Sequence, residues 1–159
     1  MKWNHKFSDF FNIRNGVRQG GVLSGILYRF YTTKLIETLE ENGFGCWVNG
    51  EYCGVWSYSD DTYLIAPSLE SLQIMIKICE EFSESHNLMY STDPDPRKGK
   101  TKCIAFLKKQ RDLPNMELCD NDLPWVEEGM HLGHKMTNKY DGMRSDILLK
   151  RGMFVQKNC

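Results

Sequence analysis

Asp60 and Asp61, adjacent in the run Tyr58-Ser59-Asp60-Asp61, are the residues whose type and spacing could do chemistry in this chain. They stand between two apolar runs, Tyr52 to Tyr58 and Thr62 to Ile65. Neighbouring carboxylates at a sharp turn between strands are costly without a purpose, because like charges repel and aspartate is a poor strand former. A hard divalent cation removes the repulsion: Mg²⁺, or Mn²⁺ in its place, takes oxygen ligands and keeps positions open for substrate phosphates. An ordinary aspartate-containing β-turn is the competing meaning, and for the dipeptide alone it is the commoner one.

Two further groups bear on chemistry. Between Arg97 and Arg111 stand seven basic residues and no acid: Arg97, Lys98, Lys100, Lys102, Lys108, Lys109 and Arg111. Such a strip can bind phosphates whatever the overall charge, or can be a solvated loop. Cys119, His131 and His134 carry metal-ligand atoms, but their spacing fits no standard zinc pattern.

Rigid elements must hold these groups. Phe7 to Ile13 reads as a short strand ended by Asn15-Gly16. Leu27, Phe30, Tyr31, Leu35, Ile36 and Leu39 recur at helical spacing, predicting a helix over about residues 25–42 with Ser24 as N-cap and Asn42-Gly43 as its stop. Strands follow at 44–48 and 52–58, joined by the hairpin dipeptide Asn49-Gly50. A second hairpin turns at Ser59-Asp60. Ser68 caps a helix running to about Ser85, with Leu69, Leu72, Met75, Ile76, Cys79 and Phe82 on one face. Strands are expected at 88–90, 102–107, 116–119, 123–126 and 130–132, and a last amphipathic helix over about 142–155. The pattern predicts an α+β domain, an antiparallel sheet packed by helices.

The chain's 159 residues suit one core. No apolar stretch approaches the roughly 20 residues of a membrane span. Met1 to Lys6 is unlike a signal peptide, so an intracellular protein of nucleus or cytoplasm, without membrane contact, is expected. The six scattered cysteines form no C-x-x-C pair, and most of them read as small core hydrophobes in a reducing compartment. Net charge is −1, but residues 1–92 hold 7 Lys/Arg against 11 Asp/Glu and residues 93–159 hold 13 against 10. The basic surplus is therefore local.

Upstream of the aspartates stands Asn15-Gly16-Val17-Arg18-Gln19-Gly20-Gly21-Val22-Leu23-Ser24. This segment resembles one found in the reverse transcriptases of non-LTR (LINE-type) retrotransposons, and Tyr58-Ser59-Asp60-Asp61 resembles that family's [FY]-x-D-D hairpin. Thr92 to Pro96 with Lys100 to Cys103 resembles the next family motif, and His131-Leu132-Gly133 its primer-grip hairpin. Four motifs in family order cover about residues 15–134.

The resemblance implies an RNA-directed DNA polymerase that transfers deoxynucleotides to a primer 3′-hydroxyl on an RNA template, with two Mg²⁺ ions. Asp60 would be the main metal ligand and Asp61 a weaker or outer one. Gln19, Gly20 and Tyr58 would lie at template and nucleotide. Arg18 would contact phosphate or make a surface salt bridge. Lys100, or Lys102 in another register, would protonate the leaving pyrophosphate unless it is merely solvated. Leu132 and Gly133 would support the primer end, an ordinary turn being the alternative.

The family's third catalytic aspartate lies on a strand well before the glycine segment, and Asp9 is at the wrong place for it. Residues 1–134 are therefore read as a partial palm lacking its first catalytic strand and the fingers, and 135–159 as a helical segment toward the thumb. Gly25 stands where the family has proline, and Thr33-Lys34 where relatives often carry Asp-Asp. The expectation is a fragment inactive alone, prone to self-association through an exposed sheet edge. The alternative is a non-catalytic nucleic-acid-binding remnant, or a translated pseudogene piece.

Overall fold

Apolar residues three and four apart become helices in both places where the spacing predicts them, and each helix belongs to a different part of the chain. The computed structural model describes residues 2–9, 20–107 and 111–139. They divide into two compact units, residues 1–65 and 66–159.

The first unit opens with a hairpin, β1 (Lys2–Trp3) and β2 (Lys6–Phe7), which turns at Asn4 with φ +53°. Of the strand expected at 7–13, Phe7 alone is seen in a strand; residues 10–13 lie outside the described ones. Helix α1 follows as Ser24–Glu41. Ser24 is its first residue and not its cap. Leu23 occupies the cap with no side-chain hydrogen bond, because the chain enters helical geometry one residue early, off a turn in which the Ser24 N–H bonds Gly21 O. Asn42 and Gly43 end the helix as expected, their N–H groups returning to Thr38 and Glu40 carbonyls. Thr32, Leu35 and Leu39, spaced three and four apart, form its buried stripe.

Two hairpins complete the unit: β3 (Trp47–Val48) with β4 (Glu51–Tyr52), and β5 (Val55–Tyr58) with β6 (Asp61–Leu64). Asn49 and Gly50 both take positive φ, +52° and +85°, the geometry of a two-residue turn between twisted strands. The single strand expected at 52–58 is broken at Cys53-Gly54. The Tyr52 ring is the physical reason: a Cβ on Gly54 would meet it at 2.5 Å. Only glycine lets the backbone pass there. The Tyr52 hydroxyl then donates to Phe44 O at 2.8 Å.

In the second unit α2 spans Leu69–His86, with Ser68 Oγ accepting from the Ser71 N–H at 3.2 Å and Asn87 left-handed at the C-cap. Met75, Ile76, Cys79 and Phe82 are buried, and so are Met116, Leu118 and Leu123 of the hairpin β7 (Met116–Leu118) and β8 (Asn121–Leu123). Two α2 side chains serve the backbone of β7 and of the residue after it. Gln73 donates to Glu117 O at 2.9 Å and accepts from Glu117 N–H at 3.1 Å, and Glu80 accepts from Cys119 N–H at 2.8 Å. An amide side chain thus stands in for a neighbouring strand. The last hairpin pairs β9 (Glu128–His131) with β10 (His134–Thr137).

Several strand expectations shift in this unit. Residues 88–90 and 102–107 form no strand. Cys103 makes one parallel bridge to Trp125, framed by hydrogen bonds to Pro124 O and from Val126 N–H. Pro124 has no N–H, so the ladder does not extend toward Thr101. For the same reason the strand expected at 123–126 moves to 121–123, after a turn at Cys119-Asp120. Strand β10 was not foreseen, and it falls where the helical segment was drawn to begin. The helix expected over 142–155 lies outside the described residues. The fold is thus mixed α and β, with two helices, but the one antiparallel sheet expected is replaced, among the described residues, by five separate two-stranded hairpins.

Candidate active site

The aspartates stand on the β5–β6 hairpin, whose register is set by Val55 opposite Leu64, Trp56 opposite Tyr63, Ser57 opposite Thr62 and Tyr58 opposite Asp61. Side chains alternate along a strand and match across a pair. One face therefore carries Trp56, Tyr58, Asp61 and Tyr63, and the other Val55, Ser57, Thr62 and Leu64. Val55 and Leu64 are half-buried, and β5 packs on α1. Trp56 and Tyr58 remain 63% and 65% exposed. Ser59 and Asp60 make the two-residue tip, with Ser59 at φ +54°. A non-glycine residue in the left-handed region costs about 1–2 kcal/mol, a strain that turns at functional sites often hold. Both carboxylates are exposed at this end.

Two tyrosines feel these charges. Burial pushes the Tyr28 phenol on α1 above its ordinary range, and the Asp60 carboxylate pushes it further. Burial and then the Asp61 carboxylate do the same to Tyr63. Negative charge at the tip therefore reaches α1 as well as the strand behind it. Sequence reasoning missed Tyr28. The available signal was its place one helical turn before Thr32 in the buried stripe.

A model of the family described as reverse transcriptase (RNA-dependent DNA polymerase) matches residues 1–108. The chain belongs to the reverse transcriptase family. No curated protein and no solved structure matches it significantly. The matched stretch includes the whole of the first unit, α2 and the loop before Cys103.

Other candidate residues of this reverse transcriptase chain fall as follows. Gly20 is exposed, with φ +77°, just before α1. Arg18 and Gln19 lie outside the described residues, as do Lys108 and Lys109 of the basic strip. Lys100 is an exposed side chain on a tightly folded loop. Its N–H bonds Ser91 O at 3.1 Å, the Asp93 carboxylate accepts from Asp95 N–H at 2.8 Å, and Gly99 passes against the Asp93 backbone. Arg97 is engaged by Asp95 at 3.1 Å, and that ion pair with its hydrogen bonds holds the Asp95 carboxyl below its usual range. Leu132 and Gly133, beyond the matched residues, form the exposed two-residue turn between β9 and β10, with φ +46° and +75°.

Among the described residues no three His, Cys, Asp or Glu side chains gather in a way that could hold a metal ion, which applies to Cys119 with His134 as well. No helix among them is long and apolar enough to cross a membrane.

Proposed function

We propose that this chain carries part of the palm of a non-LTR (LINE-type) reverse transcriptase, with Asp60 and Asp61 as two of its metal-binding carboxylates. One observation carries the reading: an adjacent carboxylate pair, exposed at the tip of a two-residue hairpin, inside a stretch matched by the reverse transcriptase family. Exposed carboxylate oxygens suit Mg²⁺ or Mn²⁺, which prefer hard oxygen donors and keep sites for phosphate. Bound there, the ions supply charge stabilisation for the attacking 3′-hydroxyl oxygen and the leaving pyrophosphate.

The chain's own part is positional. Strands β5 and β6 fix where the carboxylates sit, and the face bearing Trp56, Tyr58 and Tyr63 offers aromatic surface beside Asp61. Gly20 leaves room for a close approach of template or nucleotide, with Arg18 and Gln19 beside it in sequence. Lys100 supplies a proton or a positive charge to the leaving pyrophosphate, and Leu132-Gly133 a turn under the primer. RNA template, DNA primer and deoxynucleotides are the partners of this reading. A two-carboxylate site is incomplete for two ions, so these 159 residues by themselves are proposed to be inactive. The exposed apolar residues of α1 support self-association.

Mn²⁺ added to the isotope-labelled chain should broaden resonances of residues 58–62 selectively, and Asp60→Asn with Asp61→Asn should abolish this. Broadening that ignores those substitutions would remove the metal assignment. Primer extension on an RNA template with Mg²⁺ should give no product. Template-dependent product that Asp60→Ala eliminates would overturn the proposed incompleteness.

A further inference from the structure

We propose that Cys46 and Cys53 form a reversible disulfide across the β3–β4 hairpin. The register pairs Val48 with Glu51 and Trp47 with Tyr52, so the next pair outward is Cys46 opposite Cys53. The Cys53 N–H donates to Cys46 O at 2.8 Å, so one hydrogen bond links this pair, while the Cys46 N–H turns to Ile65 O. Directly opposed residues share a face, with Cα atoms about 5.5 Å apart where hydrogen bonds link them, inside the range a disulfide spans. Trp47 and Tyr52 hold the register from the other face, their ring centroids 5.2 Å apart. Both thiols are free and half-buried, within reach of a small reagent.

The other described cysteines differ. Cys79 and Cys103 are buried, and burial pushes each thiol up to about 11, where the reactive thiolate is scarce at neutral pH. Burial, and then the nearby Glu80 carboxylate, raise Cys119 also.

A low-molecular-weight disulfide such as oxidised glutathione is the co-reactant. One cysteine thiolate attacks a sulfur of the reagent and expels one glutathione thiolate, leaving a mixed disulfide. The opposite cysteine, as thiolate, attacks the protein sulfur of that mixed disulfide and expels the second glutathione. Two protein thiols are oxidised, one reagent disulfide is reduced to two thiols, and the two protein protons pass to the departing thiolates.

The link would fasten the chain around the base of the Asp60–Asp61 hairpin. Ile65, just past β6, accepts from the Cys46 N–H at 3.0 Å and donates to Gly54 O at 2.8 Å. The disulfide joins those two segments covalently and stiffens the seat of the strand that carries Asp61. Sequence reasoning treated most of the cysteines as core residues. The missed signal was symmetry, because residues 46 and 53 are equidistant from the Asn49-Gly50 turn.

The test equilibrates the full chain with mixtures of reduced and oxidised glutathione, alkylates free thiols and cleaves after glutamate. Cleavage at Glu51 separates the Cys46 and Cys53 peptides unless sulfur joins them. The linked pair should be the main intramolecular product. Its equilibrium constant should be at least ~10-fold higher in native buffer than in urea, since a register that preorganises the pair raises its effective concentration. Gly50→Val, which disturbs the turn, should lower the native value toward that in urea. An equal or lower native constant, or mixed glutathione disulfides without the link, overturns the proposal.

Discussion

In the first unit, α1 buries Thr32, Leu35 and Leu39 but leaves Ile26, Leu27 and Phe30 exposed along its N-terminal half, Phe30 to 82%. In the second, α2 buries Met75, Ile76, Cys79 and Phe82, and Met116, Leu118 and Leu123 of β7 and β8 are buried as well. Of the ten buried hydrophobic residues among those described, eight belong to the second unit. The first unit instead presents charge, aromatic surface and a strained turn. Burial marks the second unit, and exposed aromatic and charged side chains mark the first.

Core deletion should give the largest difference. Met75, 0% exposed, should lose about 2–5 kcal/mol on substitution by alanine, read by urea denaturation. Trp56→Ala on the exposed hairpin face should cost far less. Comparable losses would break the comparison.

Alkaline pH should separate the regions next. Burial pushes the Cys79 and Cys103 thiols up to about 11, from an ordinary 9.0. A raised folded value means that the stabilisation is complete below pH 9 and is lost as pH rises from 9 through 11. Each thiol should withdraw about 2–3 kcal/mol at full ionisation. Cys79→Ala should flatten the decline of stability over that window, although it lowers stability at neutral pH.

Helix caps sharpen the contrast on a smaller scale. Ser68→Ala should cost about 1 kcal/mol, because the Ser71 N–H loses its acceptor. At α1, Leu23 has no side-chain cap bond to lose, and Leu23→Ala should stay within about 0.5 kcal/mol.

The smallest effect concerns the aspartates themselves. Asp60→Asn should change stability by less than about 0.5 kcal/mol, since the side chain is exposed. It should lower the pH at which Tyr28 ionises without returning it to the ordinary phenol range, because burial is the larger cause and remains. An ultraviolet difference titration against Tyr28→Phe would read this. No movement of Tyr28 would separate α1 from the hairpin tip electrostatically.

Much of the local structure was legible in the residues. Helical spacing located α1 and α2 to within a residue or two, because an apolar stripe and its stop signals are local features. Asn49-Gly50 and Ser59-Asp60 marked their turns for the same reason. The strands of the second unit were less legible. Lys102 to Leu107 is apolar enough for a strand, yet a strand needs a partner along its length, and among the described residues Cys103 alone makes a bridge there, to Trp125.

The sequence by itself determined the family, the two helices and the hairpin that carries Asp60 and Asp61. Each rests on short-range order: a residue motif, a periodicity, or a turn whose φ values few residues accept. Only the tertiary structure decided that the strands pair as separate hairpins and that the Asp60 charge reaches Tyr28. Those facts depend on which backbone groups find partners across the chain, and no local pattern specifies that.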